Sequence, residues 1–107
     1  MVALLREYDT CSSLVTANAE AFAGGNFQAA YHAMMALIHL AHDLKDRHVL
    51  GYAQRKAAEQ AAWLDTYTPH HSAQANYFAN AEELAAAVQC DLDQTARPSL
   101  HLFEPAM

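Results

Sequence analysis

The chain has 107 residues and a formal net charge of −6 with histidines neutral. Six basic side chains against twelve acidic ones exclude a surface that tracks a phosphate backbone, so no nucleic-acid partner is expected. Hydrophobic residues make up 53% and charged residues 17%, which excludes intrinsic disorder, and three glycines with three prolines exclude a loop-rich or β-rich fold.

Alanine makes up about a fifth of the chain, and it is the strongest helix former because it loses no side-chain entropy on ordering. An all-α fold of four antiparallel helices follows. Residues 2–23 form the first helix, with Leu4, Leu5, Tyr8, Cys11, Leu14, Val15, Asn18 and Phe22 at spacings of three and four. Gly24-Gly25 supplies the left-handed stop, and Asn26 caps the next helix through its side-chain oxygen.

The second helix covers 27–45. Phe27, Ala30, Tyr31, Met34, Leu37, Ile38, Ala41 and Leu44 make its apolar stripe, and Gln28, His32, His39, His42, Asp43 and Asp46 take the opposite face. The third helix covers 46–66, with Val49, Leu50, Ala53, Lys56, Ala57, Gln60, Ala61 and Leu64 on one face. Gly51 within it marks a place where another helix comes close. Thr68-Pro69 ends it, since a residue before proline avoids the helical region. The fourth helix covers 70–92, with Tyr77, Phe78, Ala81, Leu84, Ala85, Val88 and Leu92 as its stripe; Ser72 is an alternative cap that leaves His70 and His71 in the turn. Residues 1–93 are read as one domain. Residues 94–107 hold two prolines and lose periodicity, so they form a tail whose Leu100, Leu102 and Phe103 dock on the bundle or on a neighbouring subunit.

Cys11 and Cys90 are too far apart for a zinc motif, and both are expected to be buried thiols. The segment MVALLREYD lacks the basic start and long apolar stretch of a signal peptide. No apolar run approaches the ~18 residues of a membrane span. A cytoplasmic protein with no membrane partner is expected.

The segment GGNFQAAYHAMMAL resembles the turn and second helix of a tetratricopeptide repeat. The matching positions are Gly25, Asn26, Phe27 and Ala30, with the large Met34 four beyond the alanine. The likeness covers about 30 residues. Leu37 falls on the repeat's next small position, and Asn18 stands where glycine is usual. The resemblance implies paired helical hairpins that bind partners, rather than an enzyme; a plain four-helix bundle is the other layout. AYHAMMALIHLA resembles small helical nucleases of the HEPN type. Those need an arginine and a histidine with four to six residues between them, whereas Arg97 and His101 have three, with Pro98 breaking the helix.

The sharpest chemical candidate is HLAHD. His39, His42 and Asp43 sit at i, i+3 and i+4, so a helix points all three the same way, and imidazole with carboxylate could hold a metal ion. The doublet His42-Asp43 also resembles phosphohydrolases of the HD type. There is no Glu-x-x-His motif, and the three residues lie opposite the apolar stripe. The His32, His39 and His42 face is accordingly a solvated surface, an interface or a metal site. Trp63 and Tyr67, one turn apart, mark a core edge or an interface, where aromatics concentrate binding energy. No catalytic residue and no cofactor is assigned. The expected function is a small interaction or scaffold module that self-associates as a homodimer. The alternative is a metal-dependent enzyme using His39, His42 and Asp43.

Overall fold

The computed structural model describes residues 2–68 and 72–95, with side chains over 9–68 and 75–94. Pro69, His70, His71 and the tail from residue 96, with Arg97, Leu100, His101, Leu102 and Phe103, lie outside the described residues. Among those described, the chain forms four helices and no strand: α1 (Val2–Ala23), α2 (Phe27–Asp43), α3 (Arg47–Tyr67) and α4 (Ser72–Thr95). The fold is all-α, as the alanine content and the three–four spacing require.

Two turns share one design. At the end of α1, Gly25 N–H donates to Phe22 O and Asn26 N–H donates to Ala21 O, at 3.1 and 2.8 Å. This is the Schellman arrangement, with Gly25 in the left-handed region at φ 82°. Asn26 then caps α2 by accepting from Ala29 N–H. At the end of α2, Lys45 N–H donates to His42 O and Asp46 N–H to Ala41 O, at 3.0 and 2.9 Å. Asp46 then caps α3, accepting from His48 and Val49. The left-handed residue here is Lys45, at φ 55°. This is why α2 stops at Asp43 rather than reaching 45, and why Asp46 caps α3 instead of belonging to it.

The core follows the stripes. Ala30, Met34, Leu37, Ile38 and Ala41 of α2 are all fully buried, because α2 packs against α1, α3 and α4 alike. Each such large side chain removed from water contributes on the order of 1.5–3 kcal/mol. Ala53 and Ala57 of α3 meet Ala81 and Ala85 of α4 in the same cluster; side chains this small let two helices lie close. Gly51 does not play the role expected of it. A Cβ there would meet only the side chains of Arg55 and Gln89, at 3.4 and 3.9 Å, so no helix backbone presses on it. At the far end of α4, Arg47 donates to Leu92 O at 3.1 Å and pairs with Asp93 at 3.1 Å. That cap serves a carbonyl at a helix end, and α4 runs three residues beyond the expected 92.

Two polar side chains sit inside the apolar stripes. Asn18 and Gln60 are 2% and 4% exposed. Gln60 Nε2 donates to Asn18 Oδ1 at 2.7 Å, and Asn18 Nδ2 donates to Gln60 Oε1 at 3.2 Å and to Ala30 O at 2.8 Å. One closed pair of carboxamides therefore ties α1, α2 and α3 together. Among the described residues, every buried side-chain nitrogen and oxygen has a partner. A second amide contact, Gln89 to Gln54 at 2.7 Å, joins α4 to α3.

Two stability measurements follow. Asn18→Ala strands the Gln60 amide and should cost about 1–3 kcal/mol. Asn18→Leu combined with Gln60→Met removes both polar groups and should recover most of that loss in urea unfolding; strictly additive losses would show that the two side chains do not act together. Gly51→Ala should stabilise by up to about 1 kcal/mol. A lower unfolding midpoint would mean that Arg55 and Gln89 cannot give way.

Candidate functional site

The HLAHD row does not stay together. His39 and Asp43 are exposed, whereas His42 is half-buried and turns toward α4, its Nε2 3.6 Å from Asp91 Oδ2. His42 thus lies on the flank of the α2 stripe rather than opposite it. Asp46 is spent as the α3 cap. Among the described residues, no three His, Cys, Asp or Glu side chains sit where they could share a metal ion. Cys11 is buried, as expected, but Cys90 is exposed. Its position explains the difference: Val88 and Leu92 face the core, and a residue midway between them on a helix faces away.

The aromatic side chains, in contrast, converge from all four helices. Across the tight Gly24–Asn26 turn Phe22 and Phe27 meet, their ring centres 5.2 Å apart. Phe22 also contacts Trp63 edge-on at 5.5 Å and the fully buried Phe78 at 5.7 Å. Trp63 continues to Tyr67 at 5.3 Å, and Phe78 continues to Tyr31, which meets Tyr77 at 5.5 Å. Tilted and edge-to-face rings at these separations are the favoured arrangement. Phe78 anchors the network, and its ends reach solvent: Trp63 is 43%, Tyr67 68% and Tyr77 51% exposed. Tyr77 was expected on the α4 stripe. Phe78 takes the inward direction, and the adjacent residue on a helix points about 100° away.

The network borders two recesses on different helix pairs. One, of about 240 Å³, lies between α1 and α3, lined by Phe22, Gln60 and Trp63 with Lys56 and Glu59 at its side. Lys56 and Glu59 pair there at 3.5 Å. The other, of about 380 Å³, lies between α2 and α4, lined by Phe27, Gln28, Tyr31, His32, Tyr77 and Phe78.

Charge divides along the same lines. Helix α3 carries Arg47, Arg55 and Lys56 against Glu59 and Asp65, a formal net of +1. Helices α2 and α4 carry Asp43, Glu82, Glu83, Asp91 and Asp93 and contain no lysine or arginine. Among the described residues, no helix is long and apolar enough to cross a membrane. The paired prominence of Trp63 and Tyr67 is visible from their spacing. The α2–α4 recess is not, because its walls lie more than forty residues apart in sequence. No protein-family model, curated protein or solved structure matches this chain.

Proposed function

We propose that the protein is a small protein–protein interaction module that self-associates through the α1–α3 side of its aromatic end. The observation that carries this reading is the exposed Trp63–Tyr67 pair, with Trp63 edge-on to Phe22 beside an open recess. Large aromatic rings left in water are the usual anchors of an interface. The occupant is a second copy. A two-fold contact sets a patch against itself, and α3 is the helix whose charges nearly cancel, so two such faces meet without the repulsion that a −6 chain otherwise carries. Lys56 and Glu59 at the rim suit reciprocal pairing across the two-fold.

Two antiparallel helical hairpins of a tetratricopeptide kind are the layout we favour. Supporting this are the two turns of one design and the central place of α2, which packs against α1, α3 and α4. We assign the module to the cytoplasm, which the absence of a disulfide framework in the sequence supports.

Sedimentation equilibrium tests the reading. The parent protein should run at twice the chain mass, and Trp63→Ser should shift it to the monomer while the helical circular dichroism is retained. A monomeric parent at high concentration would overturn self-association.

A further inference from the structure

We propose that the recess between α2 and α4 seats a cationic side chain, arginine or lysine, from a segment of a partner polypeptide. This rests on the reading of the chain as an interaction module, but not on its self-association. Four of the six lining residues are aromatic: Phe27, Tyr31, Tyr77 and Phe78. Tyr31 and Tyr77 stand 5.5 Å apart with their planes inclined at 39°, which makes a wedge rather than a closed stack. Phe78, buried and edge-on to Tyr31 at 6.0 Å, forms the floor. A ring face attracts a cation held within about 6 Å of its centre. The volume, about 380 Å³, admits a side chain together with water.

The surroundings complement a positive guest. Neither helix that frames the recess carries lysine or arginine, and of their five carboxylates Glu82 and Glu83 stand near it, whereas Asp43, Asp91 and Asp93 lie about 20 Å away along the axes. Glu82 and Glu83 follow Phe78 by about one helical turn. The described Lys and Arg side chains lie on α3 or in the turn before it; Lys45, the nearest along α2, is about 20 Å down the axis from Tyr31 at a rise of 1.5 Å per residue. These helices therefore offer no lysine or arginine of their own to occupy the recess, and His32 in its wall lies against Tyr31 at 5.5 Å. Such a recess also disfavours a second copy: two acidic faces would be brought together, whereas a basic segment is drawn in.

The probes are two acetylated, amidated peptides, Gly-Ser-Arg-Gly-Ser and its citrulline twin, which has the same shape and no charge. Each is titrated into the full chain while the Tyr31 and Tyr77 ring resonances are followed by NMR. The arginine peptide should shift both rings and bind about three- to fivefold more tightly than the citrulline peptide, with the advantage lost at high salt. Tyr77→Leu keeps apolar surface but removes a ring; it should abolish the preference for arginine and leave the sedimentation mass unchanged. Equal affinity for the two peptides, or no ring shift with either, would overturn the proposal. A monomeric parent in the sedimentation experiment leaves this result standing, because Trp63 is not part of the α2–α4 recess.

Discussion

The Asn18–Gln60 carboxamide pair is the constraint on which the aromatic end depends. Apolar contacts between helices are permissive, since they tolerate sliding and rotation when volume is conserved. A buried amide pair is not, because each lost hydrogen bond leaves a polar group unsatisfied in a low-dielectric interior. Asn18 is one turn before Phe22, and Gln60 is three residues before Trp63. Fixing the two amides at 2.7 and 3.2 Å thus sets Phe22 against Trp63. The additional bond from Asn18 to Ala30 O fixes α2 at the residue beside Tyr31. One polar junction therefore brings three helices into the register that the rings require.

The second organising feature is the separation of charge between helix pairs. Helix α3 carries nearly balanced charge beside Trp63 and Tyr67, whereas the formally charged residues of α2 and α4 are all acidic, with histidines on α2 alone of the two. Both faces border one aromatic network, yet they suit different neighbours. An apolar, charge-balanced face can meet its own copy; an aromatic recess with Glu82 and Glu83 about a turn away and no lysine or arginine on its helices favours a cation. The Arg47–Asp93 ion pair and the His42–Asp91 contact, at the opposite end, are largely solvent-exposed. Such pairs contribute little each, and their main role is to finish helix α4.

Much of this was legible in the sequence, for identifiable reasons. The α2 stripe from Ala30 to Ala41 is buried because it repeats at the helical period, and α2 is enclosed by its neighbours. Asn18 and Gln60 both stood on apolar stripes, which marks a polar residue as buried; their pairing, 42 residues apart, is set only by packing. Lys45 gave no warning of a turn, since lysine favours helix and the usual glycine is absent. The turn forms there because Asp46 caps α3 through two backbone N–H groups. The HLAHD wheel placed three side chains on one face, but His42 found Asp91 on α4, a helix that the local pattern could not position. Residue type suggests a buried Cys90 and the neighbouring stripe a buried Tyr77, yet both point outward because the residues beside them point in.

The central claim is that the two buried amides are bonded to each other and to α2. The most direct measurement is the exchange of the Asn18 and Gln60 side-chain NH₂ protons with solvent, followed by NMR in the intact chain. Both groups should be strongly protected, with cross-peaks linking them to one another and to the Ala30 backbone. Rapid exchange at the rate of exposed amides, without those cross-peaks, would contradict the account.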